Sequence, residues 1–205
     1  MSILVTSRPR PGVVLLGRDG ILVEEVPYNT DPARVRPLPG VAAALDRLRR
    51  CGVRLGVLTY QSGLGRGLVS RGALRRVHRR IEDLLGRFDL WQVCAHEPSA
   101  GCGCRRPEPG LIEQATQRLR IPAERCVVVG DRCADMTAAG AVGASGLLVP
   151  SVATRPEEIS GAPAVATDLP AAVDWVLGGS LAGVARPGLA GTAGSGTAGS
   201  GPTGR

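Results

Sequence analysis

The sequence predicts an α/β fold, a mostly parallel sheet flanked by helices, and three observations predict it. Short apolar runs alternate with stretches of helical periodicity along most of the chain. Strands separated by helices need crossover connections, which make neighbouring strands parallel and cover both sheet faces. Polar clusters of Gly, Asp, Thr and Ser directly follow three of the apolar runs, where the ligand of such a sheet sits, outside the carboxyl ends of its strands.

Val13–Leu16 is a first strand, running into Gly-Arg-Asp-Gly. Val41, Ala44, Leu45 and Leu48 recur at helical spacing behind Pro39-Gly40, and Cys51-Gly52 closes that helix. Val53–Thr59 is a second, β-rich strand ending in Tyr-Gln-Ser-Gly. A helix is expected over Ser70–Gly86, a strand over Phe88–Val93, a helix over Pro109–Leu119 and a strand over Cys126–Val129. An Ala-rich helix from about Asp135 to Val142, a strand at Gly146–Val149 and a helix at Leu169–Leu177 complete the pattern. The 205 residues suit one domain over 13–179, preceded by an N-terminal arm, 1–12. Past Gly179 the composition changes and Gly-Thr-Ala-Gly-Ser occurs twice in tandem, so 180–205 is expected to be a flexible tail.

Composition excludes several classes. No apolar run approaches the ~18–20 residues of a membrane span, and the first residues lack a signal-peptide core, so a cytoplasmic chain with no membrane partner is the expectation. All 25 basic residues are arginine, and the net charge of +7 owes four arginines to the two ends. With one Phe, two Tyr and two Trp there are few stacking platforms, which argues against nucleic acid. Arg71, Arg75 and Arg79, with Arg76 and Arg80 beside them, form a basic helix face that reads as solvated surface, and His78 reads as a surface residue too.

Cysteine spacing is the most specific signal. Cys94-Ala95-His96 is followed after five residues by Cys102-Gly103-Cys104, four zinc-competent side chains within eleven positions. Three thiolates and an imidazole fill a tetrahedral zinc shell with no open position, so the predicted zinc-bound loop is structural. Cys51, Cys126 and Cys133 read as small buried hydrophobes.

Three clusters belong together: Leu16-Gly17-Arg18-Asp19-Gly20, Thr59-Tyr60-Gln61-Ser62-Gly63 and Gly130-Asp131-Arg132-Cys133-Ala134-Asp135. They offer carboxylates for a hard cation, hydroxyl and amide groups for phosphate oxygens, and arginine for an anionic substrate.

In these motifs, over about residues 13 to 178, the chain resembles the haloacid dehalogenase superfamily of phosphohydrolases. Within it the likeness is to the zinc-containing branch of D-glycero-D-manno-heptose 1,7-bisphosphate and histidinol-phosphate phosphatases. Gly17-Arg18-Asp19-Gly20-Ile21 aligns with Asp-x-Asp-Gly-Thr, Thr59 to Gly63 with Thr-Asn-Gln-Ser-Gly, and Cys104-Arg105-Arg106-Pro107 with Cys-Arg-Lys-Pro. Gly130 to Asp135 aligns with Gly-Asp-Lys-x-x-Asp, and the zinc spacing matches in full. The resemblance implies a haloacid dehalogenase-like, Rossmann-like fold and hydrolysis of a phosphorylated small molecule through a phosphoaspartate, with structural zinc and catalytic magnesium. It implies Asp19 as acid/base and magnesium held by Asp19, Asp131 and Asp135. Thr59, Tyr60, Gln61, Ser62, Arg105, Arg106 and Arg132 would face substrate, and a monomer is the expectation.

The departures fall in one pocket. Gly17 stands where the family has its nucleophilic Asp, Ile21 replaces Thr, Tyr60 replaces Asn and Arg106 replaces Lys. Glycine has no oxygen to attack phosphorus. Three readings follow: a sugar-phosphate phosphatase with weak or altered activity, a histidinol-phosphate phosphatase, or a noncatalytic descendant that binds a phosphorylated ligand or a protein.

Overall fold

The computed structural model describes residues 10–178 and the backbone of Val184–Ala185. The strands are β1 (Val13–Gly17), β2 (Arg54–Tyr60), β3 (Leu90–Cys94), β4 (Cys126–Gly130), β5 (Ser145–Leu148), β6 (Val165–Ala166) and β7 (Val184–Ala185). The helices are α1 (Val41–Arg50), α2 (Ser62–Gly65), α3 (Arg71–Leu85), α4 (Gly110–Leu119), α5 (Cys133–Ala141), α6 (Pro156–Gly161) and α7 (Leu169–Val176). The sheet order is β3-β2-β1-β4-β5-β6-β7; β1 to β6 run parallel and β7 pairs antiparallel with β6.

The α/β expectation holds, and each strand and helix expected between residues 13 and 177 forms. Side chains alternate across the sheet. Val14, Leu16, Val57, Val127 and Val129 pack in the core with α1, α3 and α7. Val13, Leu15, Cys126 and Val128 face α4 and α5. The helix ends have local causes: Ser70 accepts from the Ala73 amide at 3.1 Å to cap α3, and Asp168 accepts from the Ala171 amide at 2.8 Å to cap α7.

The elements absent from the sequence reading are short or polar. β6 has two residues, too few for a period, and α6 is Pro-Glu-Glu-Ile-Ser-Gly, with no apolar stripe. Val184–Ala185 form β7 inside the segment expected to be a tail; the tandem repeats at 191–200 and residues 1–9 of the arm lie outside the described residues. Among the described residues no helix is long and apolar enough to cross a membrane.

Two readings need correction. Cys126 is buried as expected, but Cys51 and Cys133 are only half-buried. Cys133 opens α5, and its thiol donates to the Glu158 carbonyl at 3.0 Å. The five arginines of α3 are exposed, but His78 on the same helix is not a surface residue. Its ring stacks on Trp91 at 4.0 Å between centroids and 14° between planes, and its Nε2 is buried without a hydrogen-bond partner. Burial first, and then the charge of Arg18, lower the His78 pKa from 6.5 to about 3. Because the folded state disfavours the imidazolium, this contribution to stability is full above 6.5 and is lost as pH falls from 6.5 toward 3. His78→Phe keeps the stack and removes the titration. Thermal denaturation should therefore show a smaller loss of Tm between pH 6.5 and 4 in the variant than in the wild type; equal losses would show that His78 does not carry the acid sensitivity.

Candidate functional site

The carboxyl ends of β1, β2 and β4 meet at a cavity of about 180 Å³ whose lining includes Gly17, Asp19, Thr59, Arg106, Asp131 and Asp135. These residues are adjacent because β1 lies between β2 and β4 and all three run the same way. Gly17 continues the face of Val13 and Leu15, and the cavity floor there is apolar, formed by Leu58, Ile112, Val128 and Ala138. A Cβ at Gly17 would stand 3.1 Å from Cγ1 of Ile21, a side chain only 1% exposed. The chain turns past Asp19 at Gly20, whose φ of 75° is left-handed and whose missing Cβ leaves room for Ser151 and Asp131.

Each of the three aspartates at the cavity faces a guanidinium. Arg18, 4% exposed, places Nε 3.0 Å from both oxygens of Asp19 and Nη2 2.8 Å from one of them. Gln61 Nε2 reaches the Thr59 hydroxyl at 2.8 Å and Asp19 at 3.4 Å. Arg106 Nη1 lies 2.6 Å from Asp135 and 3.5 Å from Asp131. Burial pushes the Asp135 carboxyl up, while Arg106 works against that rise. Burial also works against the Arg106 charge, but Asp135 and Asp131 outweigh it and hold Arg106 above its ordinary value. A Cβ at Gly130 would collide with the Asp135 carboxylate, so the glycine before Asp131 is what lets Asp135 fold back over the strand end.

Asp131 is braced by groups that the sequence reading did not single out. Ser151 Oγ donates to its carboxylate at 2.8 Å and Thr154 Oγ1 to its carbonyl at 2.6 Å. Arg132 turns its Nε to 3.7 Å from Asp131 and its Nη1 to 3.5 Å from Glu158. Glu158 is buried and also accepts from the Cys133 and Arg155 amides, which lower its pKa, with Arg155 as the largest cause. Ser151 and Thr154 follow an expected strand, and that position was the signal that could have found them; Glu158 had none.

The remaining expected residues divide. Thr59, Tyr60 and Arg132 line the cavity. Arg105 instead lays its guanidinium over the Tyr60 ring at 4.8 Å, and Ser62 opens α2. Asp19, Asp131 and Asp135 do not converge on one point. Among the described residues, Cys94, His96, Cys102 and Cys104 form the one group of His, Cys, Asp or Glu side chains that does, with ligand atoms all within 4.8 Å.

In that group Cys102 Sγ lies 3.6 Å from the sulfurs of Cys94 and Cys104, and His96 Nδ1 lies 3.7 Å and 3.2 Å from those of Cys94 and Cys104. A tetrahedron with ligands about 2.3 Å from its centre has edges of roughly 3.8 Å, so the donor set fits zinc. The cluster ties the end of β3 to the loop that carries Arg105 and Arg106, and the Gly110 amide fixes that loop to α4 by donating to Gly103 at 2.9 Å.

The HAD-hydrolase-like family model matches residues 103–173. The D-glycero-beta-D-manno-heptose-1,7-bisphosphate 7-phosphatase of Pseudomonas putida is 33% identical over 147 residues, covering 67% of this chain and 81% of the relative. The D-glycero-alpha-D-manno-heptose-1,7-bisphosphate 7-phosphatase of Mycobacterium tuberculosis is 34% identical over 139 residues, covering 64% and 73%. Among solved structures, the D,D-heptose 1,7-bisphosphate phosphatase of Bordetella bronchiseptica, complexed with magnesium and phosphate, superposes with a TM-score of 0.73 at 29% identity, covering 80% of this chain and 97% of that one. The chain therefore belongs to the HAD-like phosphatase family that contains the heptose-1,7-bisphosphate 7-phosphatases.

Proposed function

We propose that this chain binds a sugar phosphate of the class its relatives hydrolyse and has lost the covalent chemistry that hydrolyses it. By homology the protein is heptose-bisphosphate-phosphatase-like. The relatives include enzymes named for either anomer at similar identity, so the reading is for the phosphorylated heptose class rather than one anomer.

The observation that carries the reading is the end of β1. Gly17 has no nucleophilic atom, and Ile21 crowds the place its Cβ would take. Without a nucleophile the two-step route through a phosphoaspartate is closed. Asp19, the acid/base position, is held on both oxygens by Arg18. Glu25 lines the cavity but belongs to a loop beyond β1, away from the strand-end geometry that in-line attack at ~3–3.5 Å requires. What the cavity keeps is recognition: the Thr59 hydroxyl, positioned by Gln61, and the guanidiniums of Arg106 and Arg132 face it and suit phosphate oxygens. In this reading zinc on Cys94, His96, Cys102 and Cys104 is structural and orders the loop bearing Arg105 and Arg106.

The test is a phosphate-release assay with heptose 1,7-bisphosphate beside calorimetric titration of the same ester. Wild type should bind saturably and release phosphate no faster than the protein-free control. Gly17→Asp with Ile21→Thr should raise release by about 100-fold or more, a fraction of the ~10⁶-fold that a catalytic nucleophile can carry. Gly17→Asp alone should recover less, because Ile21 must first give way. Magnesium-dependent release by the wild type at the rate of the double variant would overturn the reading.

Zinc is tested separately. Metal analysis should find about one zinc per chain in wild type and none in Cys102→Ser, whose Tm should fall by about 2–4 °C for each kcal/mol of metal binding lost. Wild type without zinc after refolding in excess metal would contradict the assignment.

A further inference from the structure

We infer that the Arg106 guanidinium takes the place of a divalent cation in this cavity, so that the protein binds a phosphate-type oxyanion without magnesium. The inference rests on the binding reading above and adds to it the nature of the cation.

Magnesium demands near-octahedral oxygen ligands at about 2.0–2.1 Å and is bound by one or two carboxylates together with substrate phosphate. The residues present do not fit it. The β1 position that would offer a carboxylate is Gly17. Asp131 has both oxygens engaged, one by Ser151 at 2.8 Å and Arg132 at 3.7 Å, the other by Arg106 at 3.5 Å. Asp135 is paired with Arg106 at 2.6 Å and Asp19 with Arg18 at 2.8 Å. The three aspartates thus face guanidiniums rather than an open cation position. Glu25 and Glu108 also line the cavity, but among the described residues no three of these acids converge as metal ligands would.

Arg106 has the properties the replacement needs. Its charge is permanent, unlike that of a lysine shifted by burial. Its side chain is 37% exposed and lines the cavity. Only Nη1 is engaged with the two aspartates, and among the described residues no acceptor is bonded to its Nε or Nη2, so the rest of the fork is free for an oxyanion. The cavity, at about 180 Å³, is below the ~300–1,000 Å³ of drug-sized sites and suits the phosphate end of an ester rather than a whole sugar bisphosphate.

The experiment is calorimetric titration of the zinc-loaded full chain with magnesium chloride alone, and with inorganic phosphate in the presence and absence of magnesium, at constant ionic strength. Phosphate affinity should be the same within about twofold in both buffers, and magnesium alone should give no saturable heat. Arg106→Gln should weaken phosphate by roughly tenfold or more and, by uncovering Asp131 and Asp135, create saturable magnesium binding. Arg106→Lys, which keeps the charge, should retain more phosphate affinity than Arg106→Gln. Saturable magnesium binding by the wild type, or phosphate binding that appears only with magnesium, overturns the inference and leaves the binding reading standing. Phosphate that fails to bind in either buffer overturns both.

Discussion

The site depends on the confinement of β1. Its residues Val13 to Leu16 are fully buried, and hydrogen bonds run from both edges to parallel neighbours, β2 on one side and β4 on the other. A strand held this way cannot slip by a residue without turning its apolar side chains to the wrong layer. Whatever follows Leu16 is therefore delivered to the cavity floor between Thr59 and Asp131. In this chain that residue is glycine, and Cγ1 of Ile21, four positions later, lies 3.1 Å from where its Cβ would stand. The end of β1 therefore carries no attacking atom at this position.

The second organising feature is the pairing of charge. The chain carries arginine and no lysine, and at the cavity this has a structural result, because a guanidinium offers several donors in a plane where an ammonium offers a point charge. Arg106 spans Asp135 and Asp131, while Arg18 grips both oxygens of its neighbour Asp19. The Cys94, His96, Cys102 and Cys104 cluster makes the first of these pairings geometrically secure, since it fixes the loop two residues before Arg106. In the proposed reading, zinc on this cluster orders the loop that sets the charge beside a strand end without a nucleophile.

Much of this was legible in the sequence because it is written in short segments. The strand-end clusters at Gly17–Gly20, Thr59–Gly63 and Gly130–Asp135 and the Cys/His spacing are local patterns, and the parallel topology then brings the clusters together. What was not legible depends on side chains meeting across the fold. The contact between Ile21 and the missing Cβ of Gly17, the bracing of Asp131 by Ser151 and Thr154, and the junction made by Glu158 are properties of packing, not of spacing. His78 failed for the same reason: it stands among arginines in sequence but is covered by Trp91 from another element. The stacking of Arg105 on Tyr60, a ring that lines the cavity, is likewise a contact that no spacing announces.

Loss of the covalent route, as proposed, requires that no carboxylate in this cavity accept a phosphoryl group. Incubation of the zinc-loaded protein with a heptose bisphosphate and magnesium, followed by rapid acid quench and intact-mass measurement, tests it directly. Wild-type protein should stay unmodified at every time point, and the Gly17→Asp, Ile21→Thr variant should show a transient phosphoryl adduct. A phosphoryl adduct on the wild type, mapped by fragmentation to Asp19, Glu25 or any other acid of the cavity, would contradict it.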